Sequence, residues 1–103
     1  MLVEQKYKKG DVIALKTLQG EEIIGKITSE DMIEWVLDTP VQLVVVDKQL
    51  GMAPVMQSAD PKGMSFAKVN IAIHGKARDE MKIAYTEQTS GILTPEKPGL
   101  IVN

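Results

Sequence analysis

Apolar and polar residues alternate with period two through most of the first three-quarters of the chain, the mark of strands that bury one face. Ile13, Leu15 and Thr17 share one parity, and Ile23, Gly25 and Ile27 share one on the next run. Leu18-Gln19-Gly20-Glu21 joins the two, with Gly20 free to take the positive φ of a tight turn. Gly10-Asp11 is a second turn signal just before the first strand. Glu30-Asp31 interrupts the pattern. Ile33, Trp35 and Leu37 restore it up to Pro40, which has no N–H and so marks an edge, a bulge or a break. Val41 to Asp47 reads as an aliphatic strand or a bent continuation of the one before it. Residues 48–63 are rich in turn formers and predict a loop, a short strand and a second loop. The run from Met64 to Gly75 predicts a last strand, with Val69, Ile71 and Ile73 on one face.

The period then changes. Ala77, Met81, Ala84 and Tyr85 stand at i, i+4, i+7 and i+8, one face of a helix over about 77–90. Asp79 and Glu80 near its start suit the helix dipole, and Gly91 is a natural stop. The competing reading is a strand through Met81, Ile83 and Tyr85. Residues 92–103 form a linker-like tail, with Leu100-Ile101-Val102 either frayed or added to a sheet edge.

Short strands at close spacing followed by a helix predict a mainly β domain, a small, strongly bent five-stranded antiparallel barrel over residues 1–91. An interior glycine normally weakens a strand, but at a sharp bend it relieves crowding, which accounts for Gly25. With 103 residues one domain is expected, and with aromatics at only 4% its core must be aliphatic. The absence of cysteine removes disulfides, thiolate metal sites and cysteine nucleophiles together. No apolar run is long enough for an export signal or a membrane span, which points to the cytoplasm. A net charge of −2 lacks the basic excess of most phosphate-binding proteins, so a nucleic-acid role needs a local patch or an oligomer that concentrates charge.

Two short motifs resemble the Sm-like family of ring-forming RNA-binding proteins. Its first motif sets a glycine at the opening hairpin turn, a second five residues on, an apolar residue two further and an acidic residue six after the second glycine. Gly20, Gly25, Ile27 and Asp31 match, and Ile23 takes the apolar position between the glycines. Its second motif is an aliphatic residue, arginine, glycine, then asparagine or aspartate. Ile73-His74-Gly75-Lys76 keeps the first and third of these. The resemblance implies an Sm-like (SH3-like) barrel, a homo-oligomeric ring, and single-stranded RNA held at an inner rim by Asp31, His74, Gly75 and Lys76. At the family's base-stacking and base-bonding positions this chain has Ile33 and Trp35, and tryptophan cannot accept a hydrogen bond. The whole chain also resembles small uncharacterised proteins of tailed marine phages. That resemblance implies a host-cell cytoplasm, and phage or host proteins as partners.

Each candidate residue also has a plainer role. His74, the sole histidine, titrates near neutrality when unperturbed and can equally be a strand-end residue satisfied by backbone or water. Asp31 fits an Asx turn. Glu30 and Asp31 are adjacent, so on a strand they point to opposite faces and do not converge on a metal. Trp35, the sole tryptophan, can stack on a base, but its parity assigns it to the core. Lys6, Lys8 and Lys9 around Tyr7 read as a phosphate-contacting face or a solvated arm. Met52, Met56 and Met64 read as an adaptable binding surface or as filling beneath a loop, the latter for Met56 in particular. No nucleophile–base pair, metal cluster, phosphate-cradling loop or cofactor motif points to an enzyme. Two functions follow as expectations: a ring that binds single-stranded RNA, or a structural or assembly ring whose partners are proteins.

Overall fold

The computed structural model describes residues 7–91. Six strands and one helix follow in order: β1 (Val12–Thr17), β2 (Glu22–Glu30), β3 (Glu34–Val46), β4 (Gln49–Pro54), β5 (Met64–Ala67), β6 (Ile71–Lys76) and α1 (Asp79–Gly91). All pairings are antiparallel. The sheet runs β4-β3-β2-β1-β6, and β5 pairs separately with the first part of β3. The protein is therefore mainly β, a strongly bent antiparallel sheet with a C-terminal helix.

Two bulges create the bend, each by inserting one residue into a ladder. The first lies in β3. Ile24 pairs with Val41 but Lys26 with Asp38, so one residue of Thr39-Pro40 has no counterpart, and Thr39 takes φ 47°. Parity flips there. Trp35 and Leu37 face the inside, whereas Val41 and Leu43, also odd-numbered, face outward. The second bulge is Thr28, between the pairs Ile27–Leu37 and Ser29–Val36, and its hydroxyl donates to the Val36 carbonyl at 3.1 Å. Pro40 thus marks a bend inside one continuous strand, the bent continuation that the sequence allowed.

The interior holds Tyr7, Ile13, Leu15, Ile23, Ile27, Trp35 and Leu37. A second apolar layer, Val12, Ile24, Val41 and Tyr85, forms where α1 lies on the outer face, with Ala77 and Met81 packed against it. The helical spacing of Met81 and Tyr85 is thus realised, while the helix begins at Asp79 rather than at 77, and Ala77 packs from the segment before it. The single buried face expected of β1 and β2 is corrected, because the helix covers their outer residues too. Tyr85, 2% exposed, fastens the helix by donating from its hydroxyl to the Asp38 carbonyl at 2.6 Å.

Three further expectations are corrected. The single last strand is two, β5 and β6, separated by a 3-10 turn at Lys68–Asn70 in which Val69 is exposed, and a register shift between the pairs Lys16–Ile73 and Thr17–Ile71 takes Ile73 off the face of Ile71 and leaves it exposed. The main path β4-β3-β2-β1-β6 keeps the five strands expected, and β5 adds to it on β3. Ile33 leaves the face of Trp35 and Leu37, because β3 begins at Glu34 and Ile33 stands exposed in the turn before it. Met56 is 52% exposed and fills no gap. The expectations for Lys6 and for Leu100–Val102 lie outside the described residues.

Candidate functional site

Asp31 organises the turn between β2 and β3. Its Oδ1 accepts from the backbone N–H of Ile33 at 2.8 Å and of Glu34 at 2.9 Å, while its own N–H reaches the Glu34 carbonyl. This is the Asx turn expected of it, and those two donors lower its pKa. The neighbouring Met32 and Ile33 are 89% and 71% exposed.

The 3-10 turn at Lys68–Asn70 docks beside this loop, with Lys68 N–H donating to the Ile33 carbonyl at 2.8 Å. The Lys68 ammonium reaches in three directions. It pairs with Glu30 Oε2 at 2.7 Å, stands 4.9 Å from the Trp35 ring, and its charge also helps lower the Asp31 pKa. Glu30 and Trp35 are direct cross-strand partners. They share a face only because the Thr28 bulge reverses parity after Ile27. Two adjacent carboxylates therefore do separate work, Glu30 inward on Lys68 and Asp31 outward on its turn. Glu30 Oε1 and Trp35 Nε1 are buried and have no hydrogen-bond partner among the described residues.

His74 lies opposite Leu15, so its ring turns toward the interior side of β6. Its Nδ1 is hydrogen-bonded to the Tyr7 hydroxyl at 2.6 Å, and its ring centroid is 4.9 Å from that of Trp35. Tyr7 meets Trp35 edge-on at 6.4 Å and is 5% exposed. It is therefore a plug in the core rather than part of a solvated arm. Among the described residues of that run, Lys8 and Lys9 are exposed. Burial and the negative charge of Glu30 raise the Tyr7 pKa. Trp35 is 3% exposed, as its parity required.

The four residues expected at one rim do not converge. Gly75 and Lys76 pair with Ala14 and Ile13 in the middle and far end of β1's ladder. A Cβ at Gly75 would meet nothing within 4 Å, so no crowding demands glycine there. Lys76 is exposed and stands 3.9 Å from Asp11. No hydrogen bond or ion pair joins Asp31 to any of them. Ile73–Lys76 lies within the last strand rather than between two strands. The segment that does join two strands is Ala67-Lys68-Val69-Asn70, and its basic residue is the one beside Asp31. Sequence reasoning missed Lys68, and it weighed Glu30 and Tyr7 only in other roles, as a metal-binding carboxylate and as part of a basic face.

No protein-family model matches the chain, and no curated protein sequence matches it. Among solved structures the chain is similar to a heptameric archaeal Sm protein, 15% identical over 68% of this chain and 90% of that one, with a TM-score of 0.48. It is similar also to the SmAP1 heptamer of P. aerophilum, again 15% identical over 68% of this chain, with 82% of that chain covered and a TM-score of 0.48.

Proposed function

We propose that this chain is a ring-forming Sm-like module that takes single-stranded RNA on the face around Asp31 and Lys68. The observation that carries the reading is the pair of free sheet edges. Among the described residues, the strand order leaves β4 unpaired on one side and β6 on the other. Open edges invite pairing with another chain, and one edge meeting the other head-to-tail generates a ring when the rotation closes. Exposed apolar residues accompany both edges, Leu50 on β4 and Ile73 on β6, as an interface between copies requires. The first-motif residues Gly20, Gly25, Ile27 and Asp31 support the Sm-like reading. Lys68 takes the role of the basic residue in the second motif, in place of His74 or Lys76. A ring would repeat the Asp31 turn and the paired Lys68 and Glu30 around one axis, presenting hydrogen-bonding groups rather than a net positive field.

The second reading is a ring whose partners are proteins. Met32, Ile33 and Val69, all strongly exposed on the Asp31 turn and the 3-10 turn docked to it, favour it. Size exclusion with light scattering, with and without an oligoribonucleotide, separates the readings. The RNA reading expects a multimer that binds the oligonucleotide with an affinity falling as salt rises. A multimer that ignores RNA at low salt leaves the protein reading, and a monomer at high concentration removes both.

A further inference from the structure

Glu30 Oε1 and Trp35 Nε1, the two buried atoms without a hydrogen-bond partner among the described residues, are complementary in chemistry. An indole N–H can only donate, and a carboxylate oxygen can only accept. They are also neighbours in the fold. Glu30 and Trp35 are direct cross-strand partners on β2 and β3, and the Thr28 bulge turns Glu30 to the face of Trp35. Folded proteins leave few such atoms, because each gives up its bonds to bulk water without a replacement. Trp35 as a whole is 3% exposed, so bulk solvent does not serve it.

The side chains around the pair are engaged elsewhere. The Lys68 ammonium holds Glu30 through the other oxygen, Oε2, at 2.7 Å. The Tyr7 hydroxyl is bonded to His74 Nδ1 at 2.6 Å. Direct closure is opposed from both sides. Lys68 pins the carboxylate, while the Tyr7 ring at 6.4 Å, the His74 ring at 4.9 Å and the Lys68 ammonium at 4.9 Å pack around the indole.

We infer that one buried water molecule bridges Trp35 Nε1 and Glu30 Oε1. Water has the polarity that the two atoms require: its oxygen accepts from the indole N–H, and one of its hydrogens is donated to the carboxylate. The Lys68 ammonium has two N–H groups beyond the one given to Glu30 and stands beside both residues. It can supply a third bond, the usual number for a buried water. The bridge makes one hydrogen-bonded unit of Lys68 on the 3-10 turn, Glu30 at the end of β2 and Trp35 on β3. It ties the two turns of the proposed binding face to the core from beneath. The inference holds whichever partner that face takes, and for a single chain as for a ring.

A high-resolution crystal structure of the full chain tests it directly. The expected result is an ordered water within about 3.2 Å of both Trp35 Nε1 and Glu30 Oε1. A direct bond between the two atoms, a protein group bonded to either one in place of water, a water on only one of them, or no ordered density between them overturns the inference. Glu30→Met supplies a second measurement, since it removes the acceptor while the Lys68 side chain, 27% exposed, can turn to solvent. The water is then lost from Trp35 Nε1. One that keeps its place in this variant is not held by Glu30, and the bridge is overturned.

Discussion

A methyl group placed on Gly25 would stand 2.9 Å from Leu37 Cδ1, 3.1 Å from Leu37 Cβ and 3.3 Å from Pro40 Cα. Leu37 is wholly buried and Pro40 sits in the bend of β3, so neither has room to retreat. Gly25→Ala is expected to lower stability by about 1–3 kcal/mol through overpacking, a fall in Tm of several degrees for a domain of this size. Gly20→Ala meets nothing within 4 Å and strains only a φ of +96°, so its smaller loss has a different origin. Denaturant titration of both variants checks the order. Equal losses would mean that the close approach to Leu37 is not what holds glycine at position 25.

Tyr85 gives the protein an alkaline limit. Burial, then the charge of Asp38, push its pKa from 10.0 up to about 12. Between those values the unfolded chain loses the phenolic proton while the folded one keeps it. Stability is thus full below pH 10 and falls as pH rises toward 12, by up to about 2–3 kcal/mol. Tyr85→Phe removes this term and also leaves the Asp38 carbonyl without its donor, at a cost of about 1–3 kcal/mol near neutrality. Stability curves at pH 8 and pH 11.5 should show a shallower alkaline decline for the phenylalanine variant.

Lys68 and Glu30 are expected to behave as a unit. Their side chains are 27% and 16% exposed, so Lys68→Met strands a largely buried carboxylate and should cost about 1–3 kcal/mol. Adding Glu30→Gln removes the stranded charge, and the double variant should recover part of the loss. A double-mutant cycle by thermal denaturation measures the coupling, and strict additivity would contradict it.

Asp31 contributes on the acid side. Its two backbone donors hold the carboxyl below its ordinary value of 3.8 in the fold. Its contribution is present above that value and is lost as pH falls through the lower, folded pKa. Asp31→Ala should therefore lower Tm at neutral pH more than Asp31→Asn, which keeps an acceptor oxygen for the turn. As pH falls through the folded pKa, Asp31→Asn should converge on the parent protein, whereas Asp31→Ala, with no acceptor oxygen, should stay below both.

At the free edges, Ile73→Asp or Leu50→Asp should dissolve any multimer into folded monomers. Both residues are about 60% exposed, and a charge there opposes docking without entering the core. Light scattering together with circular dichroism reads both outcomes. A multimer that survives both substitutions would place its interface elsewhere.

Local patterning alone was enough for β1, β2 and the packed face of α1, and it left the bent β3 as one of two readings. Alternation at Ile13–Leu15 and at Ile23–Ile27, and the i, i+4, i+8 spacing of Ala77, Met81 and Tyr85, are written in neighbouring residues. Gly25 announced the bend because no other residue type fits so close an approach. Only the tertiary structure decided what lies beyond the bulges. One inserted residue at Thr28 turns Glu30 inward onto Lys68, and one at Thr39-Pro40 turns Val41 and Leu43 outward beneath the helix. The partnership of Tyr7, Trp35 and His74 joins segments 67 residues apart at its extremes. Parity is a local property that a bulge resets, and a long-range contact exists only once the sheet has curled.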